Sequence, residues 1–142
     1  MALEVFERTY DVTGRDFVNA GYVSTSIKDT LKRLGVSPGI VRRVAIASYE
    51  AEMNVVMYAM CATMLLKVSP RTVTLEVEDV GPGIEDIPLA MQEGYSTATP
   101  EMREMGFGAG MGLPNIRKNA DEFVITSEVG RGTKLFIQVS QI

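Results

Sequence analysis

Residues 62–79 read ATMLLKVSPRTVTLEVED, two β-rich runs, Ala62 to Val68 and Thr72 to Asp79, joined by Ser69-Pro70-Arg71. Such a pair predicts an antiparallel hairpin. Further along, Glu122 to Ser127 and Thr133 to Ser140 flank a glycine-rich turn, Glu128-Val129-Gly130-Arg131-Gly132, and form a second pair. Upstream, Leu3, Val5, Phe6, Tyr10 and Val12 mark a first strand over residues 3 to 12. Asp16 can cap a helix running to about Leu34, with Phe17, Val18, Tyr22, Val23, Ile27 and Leu31 spaced at threes and fours and Gly35 ending it. Ser37 as cap and Pro38 at the first helical position open a second helix to about Met60, and a third helix is expected from Leu113 to Ala120. Strands that arrive in hairpin pairs with helices between them predict an α+β fold. The sheet is expected to be mixed and mainly antiparallel, with helices on one face, in a two-layer α/β sandwich. Gly81 to Met111 is long for a connection in a compact domain, which points to a functional lid or a short helix within it.

The chain has 142 residues, 46% of them hydrophobic, enough for one domain with its own core and too few for two. A net charge of -4 argues against direct nucleic-acid binding, which needs clustered Lys and Arg. An anionic small ligand stays compatible, since backbone N–H groups and a metal ion can hold phosphates locally. Cys61 is the single cysteine, so no internal disulfide can form; in its apolar surroundings it is expected to be a buried packing residue. The acidic start does not have the pattern of a signal peptide, and the apolar stretch Val55 to Leu66 falls short of the roughly 18 residues of a membrane span, so a cytoplasmic protein without a membrane partner is expected.

Three elements carry chemistry. In the second helix Glu50 and Asn54 stack one turn apart among Ile46, Ala51 and Met57. A carboxylate and a carboxamide in an apolar stripe need a partner, which can be a ligand, a metal or a polar network. The alternative is a helix end exposed enough to solvate both, the commoner state of an isolated pair. Glu52 falls on another face beside Ser48 and is expected to be solvated. The strand from Thr72 runs into Asp79-Val80-Gly81-Pro82-Gly83. An Asp at a strand end can accept a hydrogen bond from an exocyclic amine, and the glycines let the chain turn close to a flat ring; the same composition also makes ordinary turns. Gly106-Phe107-Gly108-Ala109-Gly110-Met111-Gly112-Leu113 leads directly into the third helix. Glycines at every second position can turn successive N–H groups around phosphate oxygens at a helix start. No strand precedes this run and no P-loop lysine follows it, so it is neither of the common phosphate fingerprints.

In this order, and over nearly the whole chain, the three elements resemble the N box, G1 box and G2 box of the GHKL (Bergerat-fold) ATP-binding domains of gyrase, Hsp90, histidine kinases and MutL. The resemblance implies one domain over residues 1–142 with an ATP lid at about 81–112. It implies that Asn54 coordinates the Mg²⁺ that bridges the ATP phosphates and that Glu50 is the catalytic general base. Asp79 would bond the adenine amino group with Gly81 and Gly83 beside the ring. Gly108, Gly110 and Gly112 would wrap the phosphates, and Thr133 would help hold Asp79 and the adenine through water.

Among the GHKL subfamilies, histidine kinases carry their phosphorylated histidine on an attached helical segment, whereas this chain has no histidine. Gyrase, Hsp90 and MutL relatives need further domains. The segment Glu85 to Gly112, with Gly94-Tyr95-Ser96-Thr97 in it and Gly112-Leu113-Pro114-Asn115 at its end, is similar to the lid of anti-sigma-factor serine kinases. That likeness implies a kinase acting on a serine of a small antagonist protein, with a sigma factor as a further partner. Arg103 is either a γ-phosphate contact or an exposed lid residue, and Ser96 and Thr97 are either ligand contacts or caps. Val55-Val56-Met57-Tyr58 lacks the basic or histidine residue that many relatives carry after the N box. An ATP-dependent interaction module or a slow ATPase therefore stays open as an alternative. The first strand and the Phe17 to Leu34 helix are the expected homodimer or partner surface.

Overall fold

The computed structural model describes residues 5–94, 98–104 and 112–142. Five strands, β1 (Phe6–Thr13), β2 (Cys61–Val68), β3 (Thr72–Val80), β4 (Glu122–Glu128) and β5 (Gly132–Ser140), form one open sheet in the order β1-β2-β3-β5-β4. Both predicted hairpins are present. Every pairing among the described residues is antiparallel, so the expected mixed sheet is antiparallel throughout. Ser69 explains the tight β2–β3 turn: its hydroxyl accepts the N–H groups of Arg71 and Thr72.

Alternation along the strands gives one buried face. Met64, Leu66, Val73, Leu75, Val77, Leu135, Ile137 and Val139 all point into it. Three helices cover that face, α1 (Tyr22–Arg33), α2 (Pro38–Tyr58) and α5 (Gly112–Asn119); two short ones, α3 (Ile87–Ala90) and α4 (Pro100–Glu104), lie in the expected lid segment. Between α1 and α5 and against the sheet, α2 buries residues on most of its circumference, among them Val41, Val44, Ala47, Ala51, Val55 and Val56. At that centre it can hold functional side chains steady. Arg43 ties α2 to α5 and the β4 start, with Nε donating to Asn119 O and its guanidinium paired to Asp121 at 3.0 Å.

The end of α1 follows expectation. Gly35 takes φ 76° and the N–H groups of Gly35 and Val36 reach back to Lys32 O and Leu31 O, a Schellman closure. Its start does not. Asp16 spends its carboxylate on Asn19, and the helix begins only at Tyr22, after Gly21 at φ 96°. The cap is supplied from α2. Glu52, expected in solvent, is only 2% exposed, and its carboxylate accepts the N–H groups of Gly21 (3.0 Å), Val23 (3.3 Å) and Ser24 (2.8 Å). Burial of this acid is offset by three charge-assisted hydrogen bonds at a helix N-terminus. Cys61, expected inside, is exposed: α2 stops at Tyr58, and strand alternation sends Ala62 inward and Cys61 outward.

Candidate functional site

The predicted residues fall into two groups, one on α2 and the start of α5 and the other around the end of β3. On α2, Glu50 and Asn54 are both half-buried, and α5 begins against them. A Cβ on Gly112 would lie 3.3 Å from both Glu50 Oε2 and Asn54 Oδ1, so the absence of a side chain lets the α5 start close on the pair. Asn115, in the first turn of α5, hydrogen-bonds the Glu50 carboxylate through its side chain. Burial pushes the Glu50 carboxyl above the ordinary glutamate range and the Asn115 hydrogen bond partly counters it. The pair is thus partly withdrawn from solvent, with Glu50 partnered from α5. Glu50 also lines an open cleft of about 290 Å³ between α1 and α2, together with Ser24, Lys28 and Tyr49.

The raised Glu50 carboxyl has a consequence for stability. Between its unfolded value of about 4.5 and its higher folded value the native state binds more proton, so ionising Glu50 costs stability as pH rises through that window. Glu50→Gln is expected to raise the melting temperature of the nucleotide-free protein by about 1–3 °C at pH 7 and to leave it unchanged at pH 4. A lower melting temperature at pH 7 would contradict the burial cost.

The second group surrounds the end of β3. Asp79 Oδ1 accepts the Thr133 N–H at 2.9 Å. Burial pushes the Asp79 carboxyl up and this hydrogen bond partly lowers it. The contact joins Asp79 and Thr133 through the Thr133 backbone. Thr133 Oγ1 lies 2.9 Å from Ser127 Oγ, and Ser127 Oγ also accepts the Ile84 N–H. Gly81 N–H donates to Arg131 O, which docks the loop after β3 on the β4–β5 turn. Gly83, at φ 76°, approaches so closely that a Cβ would lie 2.5 Å from Glu128 O. Gly132 is tighter still, with a Cβ 2.1 Å from Asp79 O. Gly132→Ala is expected to cost about 2–3 kcal/mol in urea unfolding, by overpacking and backbone strain, while Gly39→Ala, where a Cβ meets nothing within 4 Å, costs nothing measurable.

Helix α2 links the two groups. Ala59, its C-cap, sits with Cα 3.0 Å from where a Gly81 Cβ would be, about 7–8 Å along the axis from Asn54. The structure therefore gathers Glu50, Asn54 and Gly112 on one side and Asp79, Gly81, Gly83 and Thr133 on the other. Gly108, Gly110, Ser96 and Thr97 lie outside the described residues, as does the side chain of Arg103. Two contributors went unread in the sequence. Asn115 had a signal, a carboxamide in the first turn after the glycine run; Ser127 had none beyond its place opposite Thr133.

The model of the histidine kinase-like ATPase domain matches residues 18–139. This chain belongs to the histidine kinase-like ATPase domain family. It is 30% identical over 112 residues to the serine/threonine-protein kinase RsbT of Bacillus subtilis (strain 168), an alignment covering 76% of this chain and 78% of that one. It is 34% identical over 93 residues to the anti-sigma F factor of Thermoanaerobacter sp. (strain X514), covering 66% of this chain and 57% of that one. A third relative, the anti-sigma F factor of Clostridium acetobutylicum, is 32% identical over 106 residues, which cover 75% of this chain and 66% of the relative. The five-stranded antiparallel sheet with its helices on one face is consistent with this ATPase family. Among the described residues no helix is long and apolar enough to cross a membrane.

Proposed function

We propose that residues 1–142 form a single ATP-binding anti-sigma regulatory domain that phosphorylates a serine of a small antagonist-type protein, with residues 81–112 as its nucleotide lid. The observation that carries this reading is the setting of Glu50. A half-buried carboxylate oriented by Asn115, beside Asn54 and the start of α5, also lines a cleft open enough to receive a side chain from another protein. The relatives' names, a serine/threonine-protein kinase and anti-sigma F factors, support a protein acceptor and a sigma-factor partner.

Asp79 would select adenine. With Oδ1 occupied by the Thr133 N–H, its other oxygen is left to accept from the exocyclic amine. Gly81 and Gly83 flank the ring, and Gly108, Gly110 and Gly112 receive the phosphates. No three His, Cys, Asp or Glu side chains gather into a metal site among the described residues. The donor set suits a magnesium ion held jointly by Asn54 Oδ1 and nucleotide phosphates, the usual arrangement for an ion that takes few protein ligands. Bound there, the ion would neutralise charge on the phosphates. Glu50 takes the proton from the acceptor hydroxyl as that oxygen attacks the γ-phosphorus, the bond from phosphorus to the β–γ bridging oxygen breaks and ADP leaves, while Asn115 holds the carboxylate from the α5 side.

Two further features belong to the same reading. In the sheet β1 is an edge strand, and Tyr22 on α1 is 71% exposed, so this side is the surface for a homodimer or a sigma factor. A cytoplasmic location suits such a partner. The test is incubation with γ-labelled ATP and a small serine-bearing antagonist-like protein encoded nearby: label should appear on a serine of that protein. Label released only as inorganic phosphate would mark a slow ATPase, and tight nucleotide binding without turnover would mark an interaction module.

A further inference from the structure

The segment between β1 and α1 is fastened to α2 at both ends. At one end Arg15, in the left-handed conformation at φ 64°, donates its N–H to Val56 O at 2.7 Å. At the other, the Gly21 N–H donates to Glu52, with Val23 and Ser24 adding two more bonds to the same carboxylate. The arch between these anchors carries Phe17 and Ala20. Both pack on the main core and on a small apolar cluster made by Met53 and Met57 of α2 and Met102 of α4. Met102 is 3% exposed although α4 is a five-residue helix inside the connection between β3 and α5. The Arg15 guanidinium adds a contact to Met102 Sδ at 3.9 Å.

Glu52 therefore reaches beyond the cap of α1. None of the ion pairs among the described residues involves it, and it has no part in the chemistry assigned to Glu50 and Asn54, from which successive 200° steps around α2 turn it away. What it holds is the far end of the arch. We propose that Glu52 is a positioning residue for the nucleotide lid: by fixing Gly21 it holds Phe17 and Ala20 against Met53 and Met57 as a seat in which Met102 docks. Because Glu50, Glu52 and Asn54 share one helix, the docked lid is referenced to the same rigid element as the phosphate-side residues. The proposal rests on the reading of residues 81–112 as a nucleotide lid.

Loss of a lid contact shows in how long nucleotide stays, since weakened closure acts mainly on dissociation. The probe is ATP carrying a methylanthraniloyl fluorophore on its ribose, displaced by excess unlabelled ATP in a stopped-flow instrument with the full chain. Glu52→Gln and Met102→Ala are each expected to speed dissociation about fivefold or more, with association unchanged. The double variant should be little faster than the quicker single, because both remove one docking event. Unchanged dissociation in Met102→Ala overturns the seat. So does Glu52→Gln with a lower melting temperature and wild-type dissociation, the signature of a cap with no further role. Effects that multiply in the double variant also overturn it. If Glu52→Gln does not fold, Phe17→Ala takes its place in the cycle. A wild-type chain that binds no labelled nucleotide defeats the ATP reading instead. Hydrogen exchange then decides the seat: Glu52→Gln must speed exchange of the amides of residues 98–104 as well as those of Gly21, Val23 and Ser24, and faster exchange in the latter alone refutes it.

Discussion

Asp79→Asn is expected to weaken ATP binding roughly ten- to hundredfold and to narrow the preference for ATP over GTP. The Thr133 N–H already claims Oδ1 of Asp79. In the asparagine variant the carbonyl oxygen would keep that donor, and the amide nitrogen would then face the exocyclic amine of adenine. Two donors would meet where one acceptor is needed. Guanine presents a carbonyl oxygen at the equivalent ring position, so the same amide nitrogen suits GTP better than the original carboxylate did. Calorimetric titration with both nucleotides reads the two effects at once. Equal ATP affinity in the variant and the wild type would remove Asp79 from base recognition. Its pH dependence gives a second handle: burial raises the Asp79 carboxyl, so ATP binding should weaken on acidification starting above the ordinary aspartate range.

The architecture was legible wherever a local signal dictated it. Alternation in residues 62–79 and 122–140 specified two hairpins because burial of one sheet face demands period two. Gly35 announced the end of α1 because few other residues adopt its left-handed backbone at so little cost. Glu50 and Asn54 could be placed on one face of α2 from spacing alone. The misreadings share a cause, which is dependence on partners distant in sequence. Nothing near residue 16 reveals that α1 starts at Tyr22, since its cap is a carboxylate 28 to 31 residues further on. The same contact turned Glu52 from a solvated charge into a buried anchor. Local propensity rates Asp16 as a good cap, but its carboxylate is satisfied by Asn19 and the chain stays out of helix. Cys61 fell at the boundary of a helix and a strand, where an error of two residues in the helix end changes which face it takes. Asn115 became visible only when α5 was docked on α2.

Glu50→Ala is expected to lower phosphoryl transfer by about 10²- to 10⁴-fold while ATP binding stays within about threefold of wild type. The two halves of this outcome test different parts of the site. Proton acceptance from the hydroxyl is asked of Glu50 alone, whereas the nucleotide would be held by Asp79, Asn54 and the glycines, which the truncation leaves in place. The size of the loss also separates the acceptors. If a protein serine is the acceptor, removing the base should slow label transfer to that protein at saturating ATP. If water is the acceptor, the loss should appear as reduced phosphate release without any partner present. Asn115→Ala gives an intermediate result. Without its hydrogen bond the Glu50 carboxyl rises further, so the acid limb of the rate profile should move to higher pH, with the plateau rate reduced modestly. An unshifted limb would mean that Asn115 does not bear on the base. A Glu50→Ala protein that still transfers phosphate at the wild-type rate would mean that the proton goes elsewhere, and the half-buried carboxylate between α2 and α5 would need a structural explanation instead.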